Sequence, residues 1–160
     1  MAADAATLAG LPLANLTAET RTALDAVLPT FATTTNPVDV TAALLTNSRL
    51  FNDILPIIAR DPTADAFLVA VPVAGTGYDV EAFACDTASF AEATGKPIVV
   101  ATPQPSVAAH FKSAGLATFQ IEAHALSALG RFIAHRELVA AKRTHRFAAL
   151  PRRFLPLDER

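Results

Sequence analysis

Residues 66–73 read AFLVAVPV, seven apolar residues and one proline without a polar break. A strand with one face in water alternates polar and apolar side chains, so a continuous run bounded by turn residues predicts a strand covered on both faces. Residues 74–77 (AGTG) follow at once, and a new helical pattern begins at Asp79. Strand, glycine turn and helix in that order are how a parallel α/β sheet is built. In such sheets ligands collect outside the carboxyl ends of the strands. The loop over residues 74–79 is therefore the first place to look for chemistry.

The rest of the chain repeats the same alternation. Residues 1–9 are helical in pattern and Gly10 is suited to end them. Residues 11–16 alternate and should be extended, and Thr17 is a plausible N-cap for a helix over 18–28 that Pro29 stops. Residues 31–40 should be extended before a turn at Asn36-Pro37. Leu50, Phe51, Ile54, Leu55 and Ile58 give residues 48–60 an apolar stripe, with Pro56 either kinking that helix or lying where a lost hydrogen bond is tolerated. After the central strand come a helix over 79–94, a strand over 98–101, a helix that Ser106 could cap and that ends near Ala114, and a short strand within 116–121. A last helix covers about 124–140, and 143–160 reads as a basic, proline-broken tail. Strands alternating with helices predict a doubly wound, mainly parallel sheet.

Composition narrows the function. With 160 residues, 52 % of them hydrophobic, the chain fits one domain with a real core. Residues 1–130 hold 5 Lys/Arg against 12 Asp/Glu, whereas residues 131–160 hold 8 against 3. That balance argues against nucleic acid as a partner of the body, and the basic tail lacks interleaved aromatics beyond Phe147 and Phe154. No apolar run approaches the roughly 20 residues of a membrane span. Cys85 is the single cysteine, which excludes an intrachain disulfide and a cysteine metal cluster and fits a reducing, cytoplasmic setting. Its apolar neighbours suggest a buried small hydrophobe. His110, His124, His135 and His145 have no metal-ligand spacing and read as surface or helix-end residues. Gly75-Thr76-Gly77 is neither a P-loop nor a dinucleotide fingerprint, although its N–H groups could meet an anion. Asn36, Asp39 and Thr41 form a turn with a helix cap at Asp39 or Thr41. No self-contained catalytic set emerges from these residues.

Five segments in order carry a resemblance: residues 10–20 (GLPLANLTAET), 35–41 (TNPVDVT), 60–69 (RDPTADAFLV), 95–100 (GKPIVV) and 113–119 (SAGLATF). Over about residues 1–138 the chain resembles the second flavodoxin-like domain of the NDP-forming acyl-CoA synthetases, relatives of succinyl-CoA synthetase. The resemblance implies a three-layer, flavodoxin-like domain over 1–140 and a linker over 141–160. It implies a parent enzyme that makes acyl-CoA from a carboxylic acid, CoA and ATP or GTP, with Mg, through an acyl phosphate and a phosphorylated histidine. Its partners would be a CoA-binding domain, a first flavodoxin-like domain and an ATP-grasp part, and assembly as a homo-oligomer is compatible with it. No histidine here stands in the Ser-His-Thr-Gly context of the family's phosphohistidine, so no catalytic residue and no cofactor are expected in this segment itself. Relatives place a strand and a glycine-rich turn before the first helix. The chain is expected to lack that strand, leaving an apolar slot or open sheet edge for a partner chain or the tail. Asn36, Asp39, Thr41, Gly75, Thr76 and Gly77 are the residues expected to face the active site. The alternative expectation is a non-catalytic binding or assembly module; a stand-alone nucleotide- or flavin-binding protein is disfavoured for want of a phosphate loop.

Overall fold

The structure, a computed structural model, describes residues 2–40 and 43–145, without the side chains of 143–145. Among the described residues the elements are α1 (Ala2–Leu8), α2 (Ala18–Asp25), a 3-10 turn (Ala43–Leu45), α3 (Leu50–Ala59), β1 (Phe67–Ala70), α4 (Val80–Thr94), β2 (Ile98–Ala101), α5 (Pro105–Ser113), β3 (Thr118–Phe119) and α6 (Glu122–His145). The three strands form one parallel sheet in the order β1-β2-β3. Phe67 faces Ile98 and Ala70 faces Ala101, while Val100 and Ala101 face Thr118 and Phe119.

Helices cover both faces, so the molecule has three layers. Because successive strand residues point to opposite sides, Phe67, Val69 and Val100 join α3, α4 and α5 in one core. Val99 and Ala101 join Ala6 of α1 and Ala125, Leu126 and Leu129 of α6 in the other. Phe83 is fully buried in the larger core, with its ring 5.2 Å from that of Phe51. Phe67 meets Phe90 edge-on at 4.9 Å. These bulky rings sit where α3 and α4 lean on the sheet, a role that aromatic side chains fill well.

Several expectations need correction. The strand within 66–73 is shorter than its apolar run, because Pro72 has no N–H to extend a ladder whose last bond runs from Val71 N–H to Ala101 O. Only the face with Phe67, Val69 and Val71 is fully covered; Leu68 is half-buried and Ala70 and Pro72 are exposed. Residues 31–40 form bends and turns rather than a strand. Asn36-Pro37 is cis within them. Gln104, not Ser106, is the N-cap of α5, since Pro105 is suited to the first helical position. Cys85 is exposed; the inward residues of α4 are Phe83, Ala84, Thr87 and Phe90, and Cys85 lies close to the opposite side of that helix. Helix α6 starts two residues before the expected point and continues to His145, past the expected helix end near 140. Residues 146–160, most of the expected tail, lie outside the described residues.

Candidate functional site

All three strands deliver the chain to the same end of the sheet. There lie the loop after β1, residues 102–104 after β2, and residues 120–121 after β3. The β1 loop is a tight turn closed by Tyr78 N–H donating to Gly75 O at 3.2 Å. Gly77 has φ of 100°, a region that strains any L side chain. A Cβ at Gly77 would also stand 3.5 Å from Leu45 of the 3-10 turn. Asp79 ends the loop as N-cap of α4, its Oδ1 accepting from Ala82 N–H at 3.0 Å. Gly75, Thr76 and Gly77 are thus exposed at the carboxyl end, on one loop, as expected.

The second group is placed differently. Asn36 Nδ2 donates to Ala14 O at 3.2 Å, which ties it to the segment between α1 and α2. Asp39 N–H donates to Thr33 Oγ1 at 3.1 Å, and that hydroxyl donates to Pro37 O. Thr41 lies outside the described residues. The 3-10 turn that follows brings Leu45 beside Gly77.

Three polar residues have structural tasks that sequence reading did not assign. Gln104 spans the gap between two loops: its Oε1 accepts from Ala74 N–H at 2.6 Å and its Nε2 donates to Ala74 O at 3.0 Å. Asp61, 1 % exposed, accepts from Thr17 N–H at 2.8 Å and Thr17 Oγ1 at 3.1 Å on one oxygen. On the other it accepts from Thr63 N–H at 2.9 Å and Thr63 Oγ1 at 2.6 Å. The hydroxyls of Thr20 and Thr63, with the main-chain N–H groups of Thr17 and Thr63, hold this carboxyl far below the usual carboxylate range despite the opposing effect of burial. Lys96 Nζ donates to Ala59 O at 2.9 Å and to Ala64 O, capping the carboxyl end of α3. The Asp61-Pro62 and Gly95-Lys96-Pro97 segments flag these turns in the sequence, but the partners come from remote residues.

A cavity of about 190 Å³ lies between α5 and β3, lined by Thr102, Pro105, Ala108, Lys112, Phe119 and Gln120 among others. Pockets that enclose a small-molecule ligand start at roughly 300 Å³, so this one is a recess. Among the described residues no cluster of three His, Cys, Asp or Glu could hold a metal ion. His110, His124 and His135 are exposed. No described helix is long and apolar enough to cross a membrane.

Together these features define a parallel α/β domain in which the loops that follow the three strands lie at one end of the sheet. The same fold forms part of much longer proteins. It matches a Pyrococcus horikoshii protein, PH0766, with a TM-score of 0.70 at 22 % identity, over 81 % of this chain and 31 % of that one. It matches a dinucleotide-forming acetyl-coenzyme A synthetase 1 of Candidatus Korarchaeum cryptofilum with a TM-score of 0.71 at 17 % identity, over 93 % of this chain and 33 % of that one. The form of that synthetase in complex with phosphate and ADP matches with the same TM-score and identity. The chain therefore spans about a third of the length of these proteins. No protein-family model and no curated protein sequence matches it.

Proposed function

We propose that this chain is a domain of an NDP-forming acyl-CoA synthetase, which converts a carboxylate, CoA and ATP into acyl-CoA, ADP and phosphate. The observation that carries this reading is the fold shared, over 93 % of the chain, with an acetyl-coenzyme A synthetase. The five ordered sequence segments support it independently of the fold. In this reading the domain forms one wall of the phosphohistidine site and a bridge toward the ATP-grasp part. Its contribution is shape and main-chain hydrogen bonding: the 74–79 loop offers N–H groups to a phosphorylated group arriving from a neighbouring domain. ATP, Mg and CoA belong to the whole enzyme. The donor set here does not fit a metal site, so no step runs through a metal held by the described residues. A cytoplasmic setting follows from such an enzyme's substrates.

The test compares the purified 160-residue protein with the enzyme that also contains the CoA-binding, histidine-bearing and ATP-grasp parts. The isolated protein should form no thioester from ATP, Mg, CoA and a carboxylate. The larger enzyme should form it, with an acid-labile phosphohistidine. Asp39→Ala and Gly75→Ala should each slow phosphoryl transfer in the larger enzyme. Wild-type rates in both variants would remove the active-site role of these loops. A larger assembly that binds but never turns over would favour the assembly-module reading.

A further inference from the structure

The main-chain ladder between β1 and β2 ends with Val71 N–H donating to Ala101 O at 2.8 Å, and the two chains then diverge. Three residues further on, Ala74 is buried, so both its N–H and its C=O need partners away from water. No strand continues to supply them. Gln104 supplies both from one carboxamide, with Oε1 at 2.6 Å from Ala74 N and Nε2 at 3.0 Å from Ala74 O. The orientation of this amide is settled by chemistry, since Ala74 N–H can only donate and its carbonyl can only accept. Gln104 is also the N-cap of α5, yet its side chain makes no cap bond to that helix. It is committed to the neighbouring loop instead.

Gln104 is itself held in place. Its N–H reaches Thr102 Oγ1 at 3.4 Å. Thr102, 1 % exposed, donates its own N–H to Phe119 O of β3 at 2.9 Å. A hydrogen-bonded line thus crosses the carboxyl ends of all three strands, from Phe119 through Thr102 and Gln104 to Ala74. Downstream of Ala74, Gly75, Thr76 and Gly77 are exposed, and Tyr78 N–H closes the turn on Gly75 O.

We propose that Gln104 is the positioning residue of the 74–79 loop: its carboxamide stands in for the missing strand partner and holds the root of that loop in register with β2. The catalytic consequence rests on the function proposed above, in which this loop meets a phosphorylated group. Gln104 touches no reacting atom in that scheme; it acts through Ala74.

Three substitutions probe the two bonds. Gln104→Met keeps length and removes both. Gln104→Glu keeps an acceptor for Ala74 N–H but sets a carboxylate oxygen against Ala74 O. Gln104→Asn keeps the amide on a stem one methylene too short. Amide hydrogen exchange of the 160-residue protein reads the tether directly. Ala74 N–H should be protected in the wild type and should exchange about tenfold faster or more in Gln104→Met, as loss of a buried bond implies. Val69 and Val100 amides should keep their protection, which shows that the variant folds. Unchanged exchange at Ala74 would overturn the tether. In the larger enzyme the same variant should lower kcat for phosphoryl transfer while KM for the carboxylate stays within about twofold. Gln104→Glu should lower kcat at least as far, because its carboxylate oxygen opposes Ala74 O. Loss of protection with an unaltered kcat would overturn the positioning role. A wild-type enzyme that forms no thioester would instead remove the proposed function, while exchange at Ala74 would still decide the tether.

Discussion

Asp61 carries a full negative charge next to the start of α2 and is 1 % exposed. It is stable there because the N–H and hydroxyl groups of Thr17 and Thr63, with the Thr20 hydroxyl, surround its two oxygens and because helix N-termini favour anions. Asn cannot reproduce this arrangement, since its amide nitrogen would face a donor. Asp61→Asn should lower Tm by several degrees at neutral pH in a thermal melt. The pH dependence has a definite sign. The folded pKa lies below the unfolded value of about 4, so the unfolded chain takes up the proton first on acidification. Asp61 therefore stabilises the fold in full above about pH 4, and its contribution is lost as pH falls below that. The Tm difference between wild type and Asp61→Asn should narrow in the same range. A gap that widened in acid would contradict this account.

Helix α3 shows how one element depends on another. Its interior Pro56 costs it a hydrogen bond from position 56 to Asn52 O, and both residues are exposed, so water can satisfy that carbonyl. The helix runs on through Pro56 to Ala59. At its other end, Lys96 from the α4–β2 turn donates to Ala59 O and Ala64 O, and its ammonium lies 5.9 Å from the centre of the Phe67 ring. Gly95, with φ of 62°, ends α4 in the left-handed region and turns the chain so that Lys96 can reach α3. Lys96→Met preserves the aliphatic stem and removes the charge. It should reduce stability by about 1–2 kcal/mol, read as a lower urea midpoint with an unchanged m-value. An unaltered midpoint would mean that water replaces the ammonium at no cost.

At the scale of the whole molecule the two faces of the sheet are not equally covered. The face with α3, α4 and α5 holds the larger core, and the face with α1 and α6 holds the smaller one. Among the described side chains of α6, Ala125, Leu126 and Leu129 are buried and Ile133 and Val139 half-buried, while Phe132 and Leu138 are 50 % and 55 % exposed. Truncation after residue 140 should therefore leave Tm within about 2 °C of the full chain. A larger drop would place part of residues 141–160 in the folded unit. On the other side of the sheet β1 is an edge strand among the described residues, bonded to β2 alone.

The sequence by itself determined the elements whose signals are local. Strand β2 covers the expected residues 98–101, α4 begins at the Asp79 cap and ends at Gly95, and Thr17 caps α2, because period, caps and glycine act within a few residues of chain. The helical spacing of α4 could also have placed Cys85 outside its inward face. The carboxyl-end location of the 74–77 turn also followed from the order of strand, turn and helix. Tertiary structure alone decided which distant groups meet. Gln104 lies 30 residues from Ala74, Lys96 lies 37 and 32 from the carbonyls it caps, and Asp61 lies 44 from Thr17. A polar side chain carries no mark of its partner until parallel pairing sets the strands side by side, and burial then makes the partner obligatory.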